Sequence, residues 1–303
     1  MENVIEIESL RKDYNPRWGI SPSDKAFRLN DVSFVVPKGY ITGLIGPNGA
    51  GKTTLIKLIM GLITRQNGTI KVFGLDNLKH EVEMKDRIGF VYDTPYFYED
   101  QSVRTLMRAI GPFYSKWDEK KFLMLCEQFG LPLKKRFSTL SKGTKTKFAL
   151  AIALSHDADL IIMDEPTAGL DPVFRREFLE MLGDIMQNEE KSVLFSTHIT
   201  SDLDRVADYT VFIEDGDVLC SLWKDEMQGK WGIVKTREDI LTDENKSLFK
   251  GWRKHEYGFE ALAGDVAEVR KRVRGELLIE KPTLEDIIFF LHKGRSNGQN
   301  HSK

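Results

Sequence analysis

Short, mostly apolar runs alternate with segments of helical periodicity along most of this chain. The runs Tyr40–Ile45, Leu160–Met163 and Ser192–Ser196 have the length and composition of buried strands. Apolar residues recur at helical spacing over 55–62, and a further helical pattern follows Ser141. This alternation predicts an α/β fold in which helices cover the faces of a mostly parallel sheet.

The first third of the chain contains further strand patterns. Val4–Ile7, Val32–Val36 and Gly68–Gly74 each predict a strand. Turn-forming residues dominate between Tyr14 and Phe27, where we expect a long surface loop. The β-rich start indicates an antiparallel β subdomain added to the parallel sheet.

Composition divides the chain into two domains. Residues 1–222 are predicted to form the large domain, which includes a helical subdomain at about 94–158. Charged segments with short strands and a helix predict a small α+β domain over 223–293. Residues 294–303 are predicted to be a disordered tail.

The small domain carries no catalytic constellation in its sequence. Strands are predicted near Gly232–Thr236 and Glu276–Glu280, and a helix over Thr283–His292. We interpret this domain as a dimerisation or regulatory module.

Composition and charge narrow the class of protein. The 303 residues are 41% hydrophobic and 30% charged, with a formal net charge of −2, which is typical of a globular protein. The lack of a strongly basic run argues against nucleic acid as the main partner. No apolar stretch approaches the roughly 18–20 residues that span a bilayer, the start does not resemble a signal peptide, and the two cysteines suggest no disulfide framework. We therefore expect a soluble, cytoplasmic protein.

A glycine-rich segment stands between the Tyr40–Ile45 strand and the helix that follows it, and it fits the phosphate-loop pattern G-x-x-x-x-G-K-[ST]. Such glycines let successive N–H groups turn toward phosphate oxygens, while the lysine reaches the β- and γ-phosphates and the threonine hydroxyl binds Mg²⁺. The alternative is a chance match, against which the strand and helix flanks argue. The predicted nucleotide-binding residues are Gly46, Pro47, Asn48, Gly49, Ala50, Gly51, Lys52, Thr53 and Thr54.

Two acidic residues follow the apolar run Leu160–Met163. A carboxylate at the carboxyl end of a central strand faces the phosphate loop, so Asp164 is predicted to hold Mg²⁺. Glu165 can orient and polarise an attacking water. The alternative is a pair of solvated acids in a turn.

Two further segments give weaker signals. Ser141 and Gly143 are predicted to open a helix, where free N–H groups and a hydroxyl can bind an anion, although an ordinary N-cap fits equally well. His198 ends the strand that begins at Ser192 and can donate to a γ-phosphate oxygen. A lone histidine is more often an ordinary surface or core residue.

These segments together resemble the ATP-binding subunits of ABC transporters. The resemblance rests on the Walker A loop, the Leu-Ser-x-Gly signature at 140–143, the Walker B strand with Glu165, the D-loop through Asp171, and Ser-Thr-His198. It covers residues 1 to about 222. Within the family, the chain is most similar to subunits of bacterial drug, lantibiotic and bacitracin-type exporters, whose permeases are separate chains.

The resemblance implies a P-loop NTPase core and a pair of ATP-binding subunits, equal or different, facing head to tail. Each MgATP would lie between the Walker residues and His198 of one subunit and the partner's Ser141 and Gly143, with Asp171 linking the two sites. Tyr14 is the candidate for stacking on adenine, and Trp18 competes for that role. A membrane permease would be the further partner, which implies a position at the inner face of the cell membrane.

The family's groove for a short helix of the membrane subunit corresponds to a region rich in aromatic residues. Partly exposed aromatic residues suit such a socket, although most of them can equally be core. They are Tyr96, Phe97, Tyr98, Phe113, Tyr114 and Trp117.

Three positions depart from the family pattern. Asp93 stands where family members usually have Gln, and we expect it to be a Mg²⁺ ligand or to lie just outside the metal's ligands, rather than in a solvent-facing turn. Lys142 and Thr144 replace the usual Gly and Gln of the signature. Lys142 would add positive charge near the opposite ATP or point to solvent.

The function that follows is an ATP-hydrolysing motor subunit of an exporter. One alternative is an ABC ATPase without a membrane partner, against which the single cassette and the lack of heptads argue. The other is a weakly hydrolysing regulatory subunit, which Asp93 suggests.

Overall fold

A computed structural model describes residues 2–14, 27–93, 97–237, 240–256 and 258–299. The loop predicted after Tyr14, together with Trp18, and the aromatic Tyr96 lie outside these residues. The chain divides into two compact units, one up to Cys220 and one from Ser221.

Strands and helices alternate through most of the described residues. The strands are β1 (Asn3–Asp13), β2 (Arg28–Pro37), β3 (Ile41–Ile45), β4 (Asn67–Val72), β5 (Leu75–Asp76), β6 (Ile88–Val91), β7 (Leu160–Asp164), β8 (Ser192–Thr197), β9 (Tyr209–Glu214), β10 (Asp217–Trp223), β11 (Gly232–Thr236), β12 (Phe249–His255), β13 (Gly258–Ala263) and β14 (Leu278–Glu280). The helices are α1 (Lys52–Ile59), α2 (Glu81–Asp86), α3 (Val103–Ile110), α4 (Glu119–Gln128), α5 (Lys142–Leu154), α6 (Pro172–Ile185), α7 (Thr200–Val206), α8 (Lys224–Lys230), α9 (Val266–Arg272) and α10 (Leu284–Gln299).

The central sheet has the strand order β10-β9-β3-β8-β7-β6. β9, β3, β8, β7 and β6 run parallel to one another. Every residue of β3, β7 and β8 is buried, which explains why these strands are apolar without alternation. The predicted α/β fold with a mostly parallel sheet is confirmed.

An antiparallel sheet is built from the start of the chain. Its order is β2-β1-β4-β5, and each strand pairs antiparallel with its neighbours. β3 follows β2 closely in sequence but joins the parallel sheet, so the segment 37–39 is the crossing between two sheets rather than a hairpin turn. The predicted antiparallel β subdomain is therefore present.

The helical segment between β6 and β7 contains α3, α4 and α5. Phe148 of α5 is fully buried, and the rings of Phe97, Phe122 and Phe137 meet it edge-on, with centroids 5.0 to 6.1 Å away. Edge-to-face packing of this kind adds to the stabilisation from burial alone. Among the described residues, no helix of the chain is both long enough and apolar enough to cross a membrane.

The C-terminal unit contains its own antiparallel sheet, ordered β12-β13-β11-β14. Its core includes Val234, Phe249, Phe259 and Val269. α10 packs on β12.

The last helix runs further than the sequence predicts. α10 begins at Leu284 and continues to Gln299, so the disordered tail predicted from residue 294 is wrong over 294–299. Gly294 weakens the helical pattern in the sequence, but it serves packing: a Cβ there would lie 2.0 Å from the Lys250 carbonyl oxygen of β12. The close approach of helix and strand thus requires the glycine that the pattern interprets as a stop.

Candidate functional site

The carboxyl ends of three neighbouring strands meet at one edge of the central sheet. β3 pairs with β8 so that Ile45 lies opposite Thr197, and β8 pairs with β7 so that Ser196 lies opposite Asp164. The segments that follow β3, β7 and β8 therefore lie side by side, where open α/β sheets bind ligands. These segments are the phosphate loop, the acidic pair and the segment with His198.

The phosphate loop requires glycine at two positions in particular. Gly51, the N-cap of α1, has φ +112°, a conformation that L side chains rarely adopt. Gly46 lies so close to β9 that a Cβ would be 2.0 Å from the Ile213 carbonyl oxygen. The loop leads directly into the start of α1, where the first N–H groups have no intrahelical partner and can bind an anion.

Lys52 is buried at the first position of α1. Its Nζ donates to the carbonyl oxygens of Gly46, at 2.8 Å, and Pro47, at 3.2 Å, and it lies 3.4 Å from Glu165 Oε1. The ammonium group is therefore held inside the loop by main-chain oxygens and one carboxylate. A polyphosphate bound to the loop would meet a positive charge already in place.

Asp164 is a fully buried carboxylate with one oxygen left without a hydrogen bond. Its Oδ1 accepts from the Ser196 hydroxyl at 2.6 Å, whereas no group in the described part of the chain hydrogen-bonds Oδ2. Burial raises the pKa of Asp164, and the Ser196 and Thr53 hydroxyls oppose this shift. A buried, incompletely satisfied carboxylate beside a threonine hydroxyl fits the hard oxygen ligands that Mg²⁺ prefers.

Glu165 is held between a lysine and a histidine. Its backbone lies in the left-handed region, at φ +48°, which is unusual for a residue other than glycine and typical of functional sites. Its amide donates to the carbonyl oxygen and hydroxyl of Ser196, at 3.1 and 3.2 Å. Its Oε2 is 2.8 Å from Nδ1 of His198 and accepts from the His198 amide at 3.3 Å. The carboxylate is therefore fixed in orientation from both sides.

Lys52, Glu165 and His198 line one cavity of about 520 Å³, a size typical of small-ligand sites. Tyr14 and Phe27 also line it, with ring centroids 6.4 Å apart, and Tyr14 donates its amide to the Phe27 carbonyl at 3.2 Å. They form an aromatic wall on which a base can stack. The predicted residues that line the cavity are Tyr14, Asn48, Gly49, Ala50, Gly51, Lys52, Thr53, Thr54, Asp93, Glu165 and His198.

The structure does not bring Ser141, Gly143 and Asp171 to the wall of this cavity. Ser141 caps α5 by accepting from the Thr144 amide, and Asp171 caps α6 by accepting from the Phe174 amide. A Cβ on Gly143 would lie 3.4 Å from the carbonyl oxygen of Gly169 in the D-loop. The signature and the D-loop of one chain therefore lie side by side, and Ala168 of the D-loop lines the cavity of the same chain.

Two of the three departures from the family pattern meet in the fold. Lys142 Nζ lies 3.0 Å from Asp93 Oδ1, and both side chains are about half exposed. Asp93 also lies on the cavity wall. The charge of Lys142 is thus paired within its own chain, while its side chain stays about half exposed to solvent.

Sequence reasoning missed several residues of the site. Phe27 stands just before β2 and follows a sequence rich in turn-forming residues, so nothing in the pattern marks it as part of the cavity. Ser196, read from the sequence as the end of a buried strand, orients both Asp164 and Glu165. The available signal was the polar Ser196 at the end of a run that is otherwise mostly apolar.

Asp202 is a third residue that the sequence did not mark. It is buried on α7, and its Oδ2 accepts from the Thr167 hydroxyl at 2.8 Å. Its Oδ1 accepts from Arg175 of α6 at 2.8 Å, and a second guanidinium nitrogen lies at 2.7 Å. Thr167 lies two residues after Glu165 and α7 follows His198, so Asp202 ties the segments after β7 and β8 together.

A phosphate loop at the carboxyl end of a parallel sheet, with a buried acid on the next strand but one, defines a P-loop nucleotide-binding protein. The ABC transporter family profile matches residues 29–168. A second profile, described as AAA domain, putative AbiEii toxin, Type IV TA system, matches residues 134–203.

Similarity to characterised relatives identifies the family to which this chain belongs. The ABC transporter ATP-binding protein NatA of Bacillus subtilis is 34% identical over 63% of this chain and 80% of its own length. The bacitracin transport ATP-binding protein BcrA of Enterococcus faecalis is 31% identical over 72% of this chain and 69% of its own. The lantibiotic transport ATP-binding protein SrtF of Streptococcus pyogenes is 31% identical over 71% and 89%. The chain belongs to the family of ABC transporter ATP-binding proteins, and the expected resemblance to bacitracin and lantibiotic transport proteins is confirmed.

Solved structures agree on the fold. An ATP-binding subunit of an ABC transporter aligns with a TM-score of 0.63 and 28% identity, over 74% of this chain and 92% of the other. A dimeric ATP-binding cassette in a post-hydrolysis state aligns with the same TM-score at 19% identity, over 72% of this chain and 98% of the other. The predicted P-loop NTPase core is confirmed.

Proposed function

We propose that this chain is the ATP-hydrolysing subunit of a membrane exporter. The observation that carries the proposal is the convergence of Lys52, Glu165 and His198 around one cavity, in front of the buried carboxylate of Asp164. Phosphoryl transfer depends mainly on positioning and charge neutralisation, and these groups supply both.

Each side chain has a distinct part in hydrolysis. Lys52 binds the β- and γ-phosphates, while Thr53 and Asp164 would hold Mg²⁺, which neutralises phosphate charge when bound. Glu165 accepts a hydrogen bond from the attacking water and polarises it. Because a carboxylate only accepts hydrogen bonds, Nδ1 of His198 carries the proton in their contact, and Nε2 can donate to a phosphate oxygen when the ring is fully protonated.

The decisive experiment replaces Glu165 with Gln in the full chain. We expect MgATP hydrolysis to fall at least about 100-fold, because the amide keeps the shape but loses the negative charge that polarises water. Binding of a non-hydrolysable ATP analogue should stay within about threefold of the unchanged protein, since phosphate contacts are intact. Hydrolysis that persists after Glu165→Gln would contradict the catalytic role.

A second ATP-binding subunit completes the site in this proposal. Ser141 and Gly143 lie at an exposed helix start, outside their own chain's cavity, which suits contacts to ATP held by a partner. Asp171 would link the two sites across the interface. Tyr14 is proposed to stack on adenine, together with Phe27.

A groove in the helical segment suits a membrane partner. It has a volume of about 890 Å³, and Tyr98 and Phe113 on its rim are 82% and 84% exposed. Large exposed aromatic residues around a groove are typical of docking surfaces. Phe97 and Tyr114 also line this groove, whereas Trp117 lines a separate cavity of about 260 Å³.

The proposed cargo class rests on relatives. BcrA and SrtF are named as bacitracin and lantibiotic transport proteins, so we propose a drug or antimicrobial peptide as cargo and a position at the inner face of the membrane. Purification of the native complex tests the proposed position at the membrane, because a copurifying chain of several membrane helices is expected. Recovery without such a chain would favour an ABC ATPase that acts alone.

One observation favours a second candidate, a weakly hydrolysing regulatory subunit. Asp93 adds a negative charge to the cavity wall where the family usually has a neutral residue. A turnover that rises strongly in Asp93→Gln would support this candidate over the motor subunit.

A further inference from the structure

The ion pair between Asp93 and Lys142 joins two parts of the molecule that are 49 residues apart in sequence. Asp93 belongs to the wall of the nucleotide cavity. Lys142 is the first residue of α5, between Ser141 and Gly143, which are proposed to contact the partner's ATP. The pair is therefore a direct connection between a chain's own nucleotide site and its signature segment.

A negative charge at position 93 opposes nucleotide binding. The cavity wall already carries the carboxylate of Glu165, and the polyphosphate brings several further negative charges. Asp93 lines the same cavity, so its charge acts on a nucleotide bound there. The cation of Lys142, 3.0 Å from Asp93, offsets that charge.

We propose that Lys142 is a positioning residue for nucleotide binding within its own chain: it neutralises and orients Asp93, so that the Asp93–Lys142 pair replaces the neutral glutamine of other family members. This inference rests on the proposed function. It assigns to Lys142 a role toward its own nucleotide, through Asp93, in place of a contact with the partner's ATP.

A double-mutant cycle tests the proposal, with binding of a non-hydrolysable ATP analogue and Mg²⁺ measured by calorimetry. Lys142→Gln should weaken binding about three- to tenfold at low salt, because Asp93 then loses the cation 3.0 Å away. In the Asp93→Asn background the same change should alter binding by less than about twofold, since no charge remains to be compensated. Lys142→Arg should retain binding within about twofold, because the cation is kept.

Two further measurements separate this role from others. The loss in Lys142→Gln should shrink as salt rises to about 0.5 M, because ions screen a half-exposed charge. It should also be independent of protein concentration over a tenfold range, since the effect lies within one chain. Glu99→Gln is the matched control: it removes the ion pair between Glu99 and Lys145 of the same helix and should leave binding unchanged.

Several outcomes would overturn the inference. An equal loss from Lys142→Gln in both backgrounds would mean that the lysine acts without Asp93, and a loss that grows with protein concentration would mean that it acts across the dimer. No loss in either background would make the pair an ordinary surface contact. If the unchanged protein binds no analogue, the proposed function fails as well, whereas intact binding without coupling overturns this inference alone.

Discussion

At the scale of the residue, the site places its charges where water cannot compensate them. Lys52 and Asp164 are both buried, and Glu165 has only a small exposed fraction. A buried carboxylate with a free oxygen is unfavourable until a cation binds. The arrangement therefore exchanges some stability of the nucleotide-free chain for affinity toward a metal.

Asp164→Asn tests this exchange. Ser196 can still donate to Oδ1 of the amide, but the buried charge is removed, so the nucleotide-free chain should melt about 1–3 °C higher at pH 7. Mg²⁺ with an ATP analogue should stabilise the variant much less than the original chain.

The gain in melting temperature from Asp164→Asn should increase with pH. Because folding raises the pKa of Asp164, the folded state binds this proton more tightly than the unfolded chain. The difference in melting temperature between the original chain and the Asp164→Asn variant should therefore vanish below about pH 4, grow as pH rises toward the folded pKa, and stay constant above it. Asp118→Asn is the control, since it keeps an N-cap at an exposed position and should shift the melting temperature little at any pH. A lower melting temperature for Asp164→Asn at pH 7 would contradict the argument.

At the scale of the element, the sequence predicts strands better than it predicts contacts between distant segments. β3, β7 and β8 are continuous apolar runs, and their chemistry-bearing residues follow directly, so their meeting at one sheet edge could be expected. The pairing of Asp93 with Lys142 could not be expected from the sequence, because it depends on how α5 lies relative to the segment after β6. The end of α10 was missed because local propensity and tertiary packing disagree at Gly294.

The contact between α10 and β12 allows a sharp test. A Cβ on Gly251 would lie 1.8 Å from the Phe290 carbonyl oxygen, so Gly251→Ala must push the helix away from the strand. We expect a loss of about 1–3 kcal/mol in the free energy of unfolding, measured by urea denaturation of the full chain.

Gly229→Ala is the matched control in the same unit. Gly229 lies in α8, and nothing lies within 4 Å of a Cβ built there, so alanine should be neutral or stabilise by up to about 1 kcal/mol. Equal effects from the two substitutions would mean that α10 does not approach β12 this closely.

At the scale of the whole molecule, one compact unit carries the nucleotide site and the aromatic groove. The groove lies in the helical segment between β6 and β7, which also contains the signature at the start of α5. The assignment of the C-terminal unit as a dimerisation or regulatory module stays a prediction.

The groove can be tested apart from the nucleotide site. A chain with Tyr98→Ser and Phe113→Ser should lose most copurification with a membrane partner, because these rings present the largest exposed apolar surface of the groove. Binding of an ATP analogue by the purified chain should not change.

Val82→Ser provides the comparison for that experiment. Val82 is 85% exposed on α2 and does not line the groove, so its replacement should leave copurification intact. A double variant that still recovers the membrane chain in full would place the docking surface elsewhere.

The buried carboxylate of Asp202 has a consequence for motion. It accepts from Thr167 and from Arg175, and it lies on the helix that follows His198, so the segments after β7 and β8 share one anchor. Opening either segment alone would leave a buried charge without its partners, which is strongly unfavourable. The D-loop and the histidine segment therefore form one cooperative unit, and a displacement of the D-loop is transmitted to the geometry around Glu165.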